Sequence, residues 1–383
     1  MNFTFYNPVK LLVGRGNFGK IGEEAKNYGK KALLVVSPSA RSGELANKAV
    51  AVLKESGVDA VIFNNVVANP MGSSVREGAD VAAKEKCDMV IGFGGGSVMD
   101  TAKGIAFLTN KEGDIFDYIM GERTGTDALP NIQITTTAGT GSEANWTAVF
   151  TNDKNLEKKG LVTPLIYPKV SIIDPELMLS LPANLISGPG LDALFHAFES
   201  YISRNANPMS EMYSLQAMEL SIENLPKVYN NPADIDAWEN VALANTLAGI
   251  AIGCAGTTIP HAMGHPLSGH LNASHPDSLV AVYMPFMKFT APHATKKFAK
   301  LAQMLGCDTA KMSENEAAIA SIEAMDGFIG KLNARKTLTD LGVTADMLDK
   351  LADISSESMA RVLANNPKVP TRDEVREMYR QCL

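Results

Sequence analysis

The sequence predicts two structurally different parts, an α/β domain with a parallel sheet followed by an all-α domain. In the first half of the 383 residues, short apolar runs alternate with stretches whose apolar residues recur at helical spacing. This alternation is typical of a parallel sheet covered by helices on both faces. After Pro182 the strand-like runs disappear, and long Ala-, Leu- and Met-rich stretches follow, which favour helix. A Pro- and Gly-rich segment at 181–190 marks the change, so we divide the chain into residues 1–184 and 185–383.

Each element follows from its local pattern. Buried strands are expected at 31–36, 58–63, 88–93, 131–135 and 169–174. Amphipathic helices are expected at 43–56 and 73–86, and the C-terminal helices at 191–205, 210–224, 237–253 and 315–338. Residues 241–259 carry no charge and are about long enough to cross a bilayer. Their small and polar residues, without flanking Lys or Arg, favour a helix buried between other helices, so no membrane partner is expected.

The N-terminal residues Asn2-Phe-Thr-Phe-Tyr6 alternate between polar and apolar side chains. This pattern predicts an edge strand, which pairs readily across a two-fold axis, and hence a homodimer or a larger closed oligomer. The alternative is a strand that joins the chain's own sheet. The same segment has no apolar core of the kind found in signal peptides.

Composition excludes several classes of function. Lys and Arg total 35 and Asp and Glu total 42, a net charge of −7 that argues against nucleic acid as the main partner. The four cysteines lie far apart and form no CxxC pair, which excludes a zinc ribbon and gives no disulfide framework. A reducing cytoplasm is therefore the expected location.

A glycine-rich loop follows the third predicted strand. Gly94-Gly-Gly-Ser97 opens a predicted helix, and its backbone N–H groups together with the helix N-terminus favour an anion such as a pyrophosphate. The spacing is neither GxGxxG nor that of a P-loop. Ser97 and Asp100 can also form a capping box that needs no ligand, and both interpretations are compatible.

A second polar loop, Thr135-Thr-Thr-Ala-Gly-Thr-Gly-Ser-Glu143, follows the next strand. Loops at the carboxyl ends of parallel strands form the crevice in which doubly wound sheets bind ligands. The alternative is an ordinary loop with Ser and Thr turns. Together the two loops predict one nucleotide bound across the sheet edge.

The histidines give the strongest signal, because five of the six lie between His196 and His275. Asp192 and His196 are spaced i, i+4, as are His261 and His265, and His270 and His275 follow closely. A single histidine is usually structural, but this cluster predicts an Asp/His₃ site for a divalent transition metal without thiolate. HExxH and GxSxG motifs are absent, which disfavours zincin-type and serine-nucleophile hydrolysis.

A phosphate-binding α/β domain combined with a metal site in a helical domain suggests a nicotinamide enzyme with a Lewis-acid metal. The sequence resembles the iron-dependent (group III) alcohol dehydrogenases over nearly its whole length. The matching stretches are Gly94–Lys103, Thr136–Glu143, Asp174-Pro-Glu-Leu, Gly190–Glu199, His261–Leu267 and Asn366-Pro367.

This resemblance implies a role for each matching residue. The implied metal ligands are Asp192, His196, His261 and His275. His265 corresponds to a histidine near the nicotinamide and the substrate, and is the first candidate to relay the hydroxyl proton, with water as the alternative. The implied cofactor-binding residues are Gly95, Gly96 and Ser97 at the pyrophosphate, Asp100 near the nicotinamide, Thr136, Thr137, Thr140 and Asn69 along the nucleotide, and Lys158.

The chain departs from the family pattern at three places. Pro276 follows His275 where glycine is usual, and because proline lacks an N–H and fixes φ, we expect a different local turn at this ligand; if the turn displaces His275, His270, which is not a usual family position, is the competing ligand. Ser37 stands where members that prefer NAD have an aspartate. Because that acid would repel a 2′-phosphate, its absence favours NADP over NAD, with Ser37 and Arg41 as candidate phosphate contacts. Alternatively, Arg41 is a solvated loop cation and the serines only cap the next helix.

The resemblance implies hydride transfer between a small primary alcohol or aldehyde and NADP or NAD. It also implies one divalent metal, with Fe²⁺ expected first and Zn²⁺ as the alternative. Two alternatives stay within the fold: a glycerol-dehydrogenase-like enzyme and a dehydroquinate-synthase-like lyase. The lyase should need a basic cluster for a phosphorylated substrate, and none lies near the histidines. A metal or nucleotide sensor without turnover is the non-enzymatic alternative.

Overall fold

The computed structural model describes residues 2–383 and divides them into two compact units. One comprises Tyr6–Leu181, and the other comprises Pro182–Leu383 together with residues 2–5. The first is α/β and the second is helical, which confirms the predicted fold class.

The α/β unit is built on a six-stranded parallel sheet in the order β1-β8-β5-β4-β2-β3. Its strands are β1 (Lys10–Val13), β2 (Lys31–Val35), β3 (Asp59–Phe63), β4 (Met89–Gly94), β5 (Asn131–Thr135) and β8 (Val170–Ile173). A separate antiparallel hairpin joins β6 (Thr147–Thr151) to β7 (Lys158–Val162). The helices are α1 (Ile21–Ala25), α2 (Ala40–Glu55), α3 (Gly72–Lys84), α4 (Gly96–Leu108) and α5 (Ile115–Ile119).

Alternating side chains of the central strands enter two separate cores. Leu33 and Val35 of β2 pack into one core with residues of α3 and α4. Ala32 and Leu34 of the same strand pack into the other with residues of α1 and α2. Both faces of the strand are therefore covered, which explains why it reads as a continuous apolar run.

The predicted strands and the two N-terminal helices are present, and two features were missed. The short strand β1 and the hairpin β6–β7 gave no clear pattern, because β1 has four residues and the hairpin mixes polar and apolar side chains. The edge strand predicted at residues 2–6 is wrong, since residues 2–9 form no strand. The ring of Phe5 instead stacks on Tyr213 of the helical unit, at 5.9 Å between centroids.

The helical unit contains ten helices among its described residues. They are α6 (Asn184–Ile202), α7 (Pro208–Asn230), α8 (Ile235–Ala255), α9 (Ile259–His270), α10 (His275–Thr290), α11 (Thr295–Met304), α12 (Glu314–Lys331), α13 (Leu348–Ser358), α14 (Ala360–Leu363) and α15 (Arg372–Arg380). The segment 181–190 was expected to separate the domains, yet α6 already includes Gly188, Pro189 and Gly190. A Cβ on Gly190 would lie 2.3 Å from Leu225 Cδ1, so the glycine permits close packing of α6 and α7.

The uncharged segment 241–259 lies mostly in α8, and the side chains of this helix are largely buried, as predicted. Within residues 2–383 no single helix is long and apolar enough to cross a membrane. One pair, α8 and α9, meets that criterion only jointly and is bent by 103° at its break.

Candidate metal and nucleotide sites

Three helices bring the predicted metal ligands together. Asp192 and His196 lie one turn apart on α6, His261 lies near the start of α9, and His275 is the first residue of α10. Ligand atoms of Asp192, His261 and His275 all lie within 4.8 Å of one another. The Nε2 atoms of His196 and His261 are 2.8 Å apart, and Asp192 Oδ1 lies 3.5 and 3.6 Å from them.

The donor atoms of this cluster suit a divalent transition metal. Asp192, His196 and His261 are at most 4% exposed, and Asp192 Oδ1 accepts no hydrogen bond from residues 2–383. A buried carboxylate oxygen without a donor is costly unless a cation or a proton compensates it. One carboxylate and three imidazoles, with no thiolate, form a donor set that Fe²⁺ or Zn²⁺ accepts. The residues therefore fit a metal.

Glu199, also on α6, orients one of these histidines and was not singled out from the sequence. His261 Nδ1 donates to Glu199 Oε1 at 2.8 Å, and Glu199 Oε2 accepts hydrogen bonds from the Thr258 N–H at 2.7 Å and the Thr258 hydroxyl at 3.2 Å. This arrangement leaves His261 Nε2 for the cluster, as in the carboxylate–histidine pairs of metal sites. The available signal was the i, i+4, i+7 spacing of Asp192, His196 and Glu199 on one helix face.

The electrostatics of His261 reflect this environment. Burial alone would lower the pKa of its imidazole, but the negative charges of Glu199 and Asp192, together with the hydrogen bond to Glu199, outweigh burial and raise the pKa to about 9. Without a metal, the two carboxylates therefore favour the doubly protonated ring.

His265 and His275 lie beside each other next to the cluster. The His265 ring is 5.5 Å from that of His275 and 6.2 Å from that of His261, between centroids. Pro276 does not displace His275, because it is the second residue of α10, where a helix needs no backbone donor. His270 ends α9 and is not among the clustered residues.

In the α/β unit, the glycine loop lies where the sequence predicted it. β4 ends at Gly94 and α4 begins at Gly96, with Gly95 as N-cap. The predicted capping box is wrong, because no side chain caps α4. Asp100 is instead fully engaged elsewhere: its Oδ1 accepts from the Ser142 hydroxyl at 2.6 Å and its Oδ2 from Val149 N–H at 2.9 Å.

The two predicted loops pack directly against each other. A Cβ on Gly95 would lie 3.0 Å from Thr137 Oγ1, and one on Gly96 would lie 2.3 Å from Thr140 Cγ2. Thr136 N–H donates to the Gly94 carbonyl at 3.0 Å. The glycines thus allow the loop after β5 to approach the N-terminus of α4, and they leave Ser97 in the first turn of that helix.

A buried lysine of α4 is hydrogen-bonded to the segment that follows β5. Lys103 is fully buried, and its ammonium donates to Ser142 Oγ, Asn145 Oδ1 and the Thr147 carbonyl at 2.9, 3.2 and 2.9 Å. Burial lowers the pKa of Lys103 to about 8, although Asp100 and Glu143 oppose the shift. Burial also raises the pKa of Asp100, against the influence of Lys103. No pattern in the sequence indicated that this lysine is buried.

The remaining predicted cofactor residues form two groups. Lys158 Nζ donates to Asn69 Oδ1 at 2.9 Å, and both residues are buried. Ser39 caps α2 through Ser42 N–H, and Ser37 Oγ lies 2.6 Å from Ser42 Oγ, so the serines do serve the helix start. Arg41 is not a solvated cation: it donates to Ser180 Oγ at 2.8 Å and to the Leu177 carbonyl, and burial lowers its pKa.

Two family models match the chain. The iron-containing alcohol dehydrogenase model matches residues 8–175, and the C-terminal model of the iron-containing alcohol dehydrogenases matches residues 187–383. The chain belongs to the iron-containing alcohol dehydrogenase family. It is an oxidoreductase that interconverts alcohols and aldehydes with a nicotinamide cofactor.

Relatives of this alcohol dehydrogenase match over almost their whole length. It is 33% identical to the NAD-dependent methanol dehydrogenase of Bacillus methanolicus, over 99% of this chain and 100% of the relative. It is 35% identical to the 1,3-propanediol dehydrogenase of Citrobacter freundii, over 100% and 97%. Among solved structures, a 1,3-propanediol oxidoreductase superposes with a TM-score of 0.95 at 32% identity, covering 100% of both chains. The NADH-dependent butanol dehydrogenase A of Thermotoga maritima superposes with a TM-score of 0.91 at 32% identity, over 100% and 98%.

Glu199→Gln should weaken metal binding by this alcohol dehydrogenase by about 10- to 100-fold, because the amide removes the charge that orients His261 and directs a donor at Thr258 N–H. Competition between the protein and a chromogenic chelator for Zn²⁺ measures the change. Glu219→Gln, at an exposed position of α7, is the control and should bind the metal like the wild type. Equal affinity of both variants would exclude the orienting role of Glu199.

Lys103→Met should remove a pH-dependent part of the stability. The folded-state pKa of about 8 lies below the ordinary value of 10.5, so between these pH values the unfolded state binds more protons. The wild type should therefore gain stability relative to Lys103→Met as pH rises from 8 to 10.5, by at most about 1.4 kcal/mol per pH unit. Denaturant unfolding at several pH values measures this slope. Lys84→Met, at an exposed helical position, should show no such slope, and a flat or falling difference for Lys103→Met would contradict the argument.

Proposed function

We propose that this enzyme transfers hydride between a small primary alcohol or aldehyde and NAD(P)(H), using one divalent metal held by Asp192, His196, His261 and His275. Fe²⁺ is the preferred metal and Zn²⁺ the alternative. The observation that carries the proposal is the donor set on three helices, buried except for the half-buried His275, with His261 oriented by Glu199. Residues 185–383 are assigned to metal and substrate binding, and residues 1–184 to the dinucleotide.

Different side chains are assigned to orienting a metal ligand and to transferring the proton. When bound, the metal supplies Lewis-acid polarisation of the substrate oxygen and the nicotinamide supplies or accepts the hydride. Glu199 holds the His261 ring with Nε2 towards the cluster. His265, beside His261 and His275, is positioned to take the hydroxyl proton during oxidation and return it during reduction.

On the dinucleotide side, the N–H groups at the start of α4 bind the pyrophosphate, with Gly95, Gly96 and Ser97 as the contact residues. Asp100 is assigned to the nicotinamide end. Thr136, Thr137, Thr140, Asn69 and Lys158 are assigned to the rest of the nucleotide. The close packing of the two loops and the Lys158–Asn69 hydrogen bond support these assignments.

The relatives support the proposed substrate class. They include a methanol dehydrogenase, a 1,3-propanediol dehydrogenase and a probable butanol dehydrogenase. A small primary alcohol, or the corresponding aldehyde in reduction, is therefore the first class to assay here. A lyase acting on a phosphorylated substrate is disfavoured, because the sequence has no Lys or Arg from residue 228 to 287, around the clustered histidines.

The decisive test combines metal analysis with an aldehyde reduction assay. His196→Ala should lose its metal and reduce no aldehyde, while NAD(P)H binding, measured by fluorescence, stays near the wild-type affinity. His293→Ala is the control, because this exposed histidine lies outside the cluster. Full activity of chelator-treated, metal-free enzyme would overturn the Lewis-acid mechanism. Cofactor binding without turnover on any alcohol or aldehyde would instead favour a sensor.

A preference for NADP over NAD is proposed from the residue that follows β2. Ser37 provides no negative charge to repel a 2′-phosphate, and its hydroxyl can donate to one. Arg41 could contact a 2′-phosphate only by giving up its hydrogen bonds to Ser180 and Leu177. The lack of an acidic residue at position 37 is therefore the stronger argument for NADP. Ser37→Asp should shift kcat/KM from NADPH towards NADH by about tenfold or more, where tenfold is about 1.4 kcal/mol. A wild type that already strongly favours NADH would exclude Ser37 as the determinant.

A homodimer or larger closed oligomer and a cytoplasmic location are also proposed. The edge strand that suggested the dimer is absent, so this proposal now rests on the general prevalence of closed symmetric assemblies. Light scattering at micromolar concentration measures the mass. All four cysteines, each within the described residues, are free thiols, which is compatible with a reducing compartment.

A further inference from the structure

Helix α10 is held against α6 at two points spaced by seven residues on each helix. Gly188 of α6 lies opposite Pro276 of α10, where a Cβ on the glycine would approach the proline Cβ to 3.2 Å. Seven residues further along both helices, Phe195 stacks on Tyr283 with 3.6 Å between ring centroids. Both aromatic residues are fully buried. Because seven residues are close to two helical turns, the two contacts lie on one face of each helix.

Helix α10 is also closely packed against α9. A Cβ on Gly264 would lie 2.8 Å from Leu279 Cδ2, so the glycine admits the leucine side chain. The buried hydroxyls of Ser268 and Ser278 are 3.2 Å apart. The beginning of α10 is thus fixed by neighbours on both sides, and Pro276 has little freedom to move away from α6.

The contact between Gly188 and Pro276 bears directly on the metal cluster. Gly188 lies one turn before Asp192 and two turns before His196, on the same face of α6. Pro276 is the residue immediately after His275. We infer that Gly188 and Pro276 are positioning residues, which set the distance of His275 from the ligands on α6. The inference rests on the proposed metal site.

A methyl group at position 188 would push Pro276, and with it His275, by a few tenths of an ångström. Gly188→Ala should therefore lower the affinity for Zn²⁺ by roughly tenfold, the lower end of the range for residues that support metal ligands. Residue 188 precedes Pro189, so an alanine there also meets the ring of that proline in helical backbone; the double variant described next carries the same strain and separates it from the contact with Pro276. Pro276→Gly alone should lower the affinity less, because it removes a contact without forcing a displacement.

The double variant Gly188→Ala/Pro276→Gly separates this mechanism from a general defect. Removing the proline ring makes room for the new methyl group, so the double variant should bind Zn²⁺ more tightly than Gly188→Ala alone. The affinities are measured by chelator competition on the full chain. The visible absorption of Co²⁺-loaded protein provides a second readout, because it reports the ligand geometry. The Gly188→Ala spectrum should change, and the double variant should return towards the wild-type spectrum.

Gly327→Ala is the control for a glycine-to-alanine change in a helix, since a Cβ there meets nothing within 4 Å. It should leave the Zn²⁺ affinity unchanged. Wild-type affinity of Gly188→Ala would overturn the inference, and so would a double variant no better than Gly188→Ala. If His196→Ala binds Zn²⁺ like the wild type, the proposed metal site fails and the positioning role fails with it. If His196→Ala loses Zn²⁺ binding but the Gly188 and Pro276 variants bind Zn²⁺ like the wild type, the metal site is supported and only the positioning role is excluded.

Discussion

Asp192 and Glu199 are carboxylates with almost no exposure to solvent, and the helical unit depends on how their charge is compensated. Removing an ion from water costs several kcal/mol unless partners replace the water. Glu199 receives three hydrogen bonds, from Thr258 and His261, whereas Asp192 Oδ1 receives none. The imidazoles around Asp192 can compensate its charge only by sharing a proton or a cation. A stable arrangement of α6, α9 and α10 and a site for a cation are therefore consequences of the same buried charges.

The pyrophosphate site proposed in the α/β unit would compensate an anionic charge by different means. No predicted contact of the pyrophosphate is a buried cation; the contacts are backbone groups at the start of α4, whose partial charges are fixed by the helix. The buried cation of this region, Lys103, bonds neutral oxygens that belong to the loop between β5 and β6 and to the start of β6. Ser142 links it to Asp100, so the loop conformation and the carboxylate are held by one network. Lys103 thus stabilises the conformation of the loop between β5 and β6.

The fold class and the grouping of Asp192 with several histidines could be predicted from spacing within single elements, whereas the choice of His275 as a ligand came from the family resemblance. The i, i+4 pairs identified Asp192 with His196 and His261 with His265, whatever the tertiary structure. The helical spacing of Glu199 placed it on the face of Asp192 and His196, but its role depends on His261, which lies 62 positions away, and so on how two helices pack. The capping box at Ser97 failed for the same reason: Asp100 bonds Ser142 and Val149, which are distant in sequence. The role of Arg41 likewise depends on Ser180, which comes after the last strand of the sheet.

Pro276 illustrates why a departure from a sequence pattern has to be judged by its position in the backbone. Proline removes an N–H and fixes φ, which in a helix interior breaks a hydrogen bond and costs about 3 kcal/mol. At the second position of α10 neither penalty applies, because the first turn of a helix has no acceptor for that N–H and already requires a φ near that of proline. The remaining effect is steric, and the space for the ring exists because residue 188 has no side chain. A substitution that looks unfavourable next to a ligand is thus compatible with the ligand's position, provided that the opposing helix has a glycine at the point of contact.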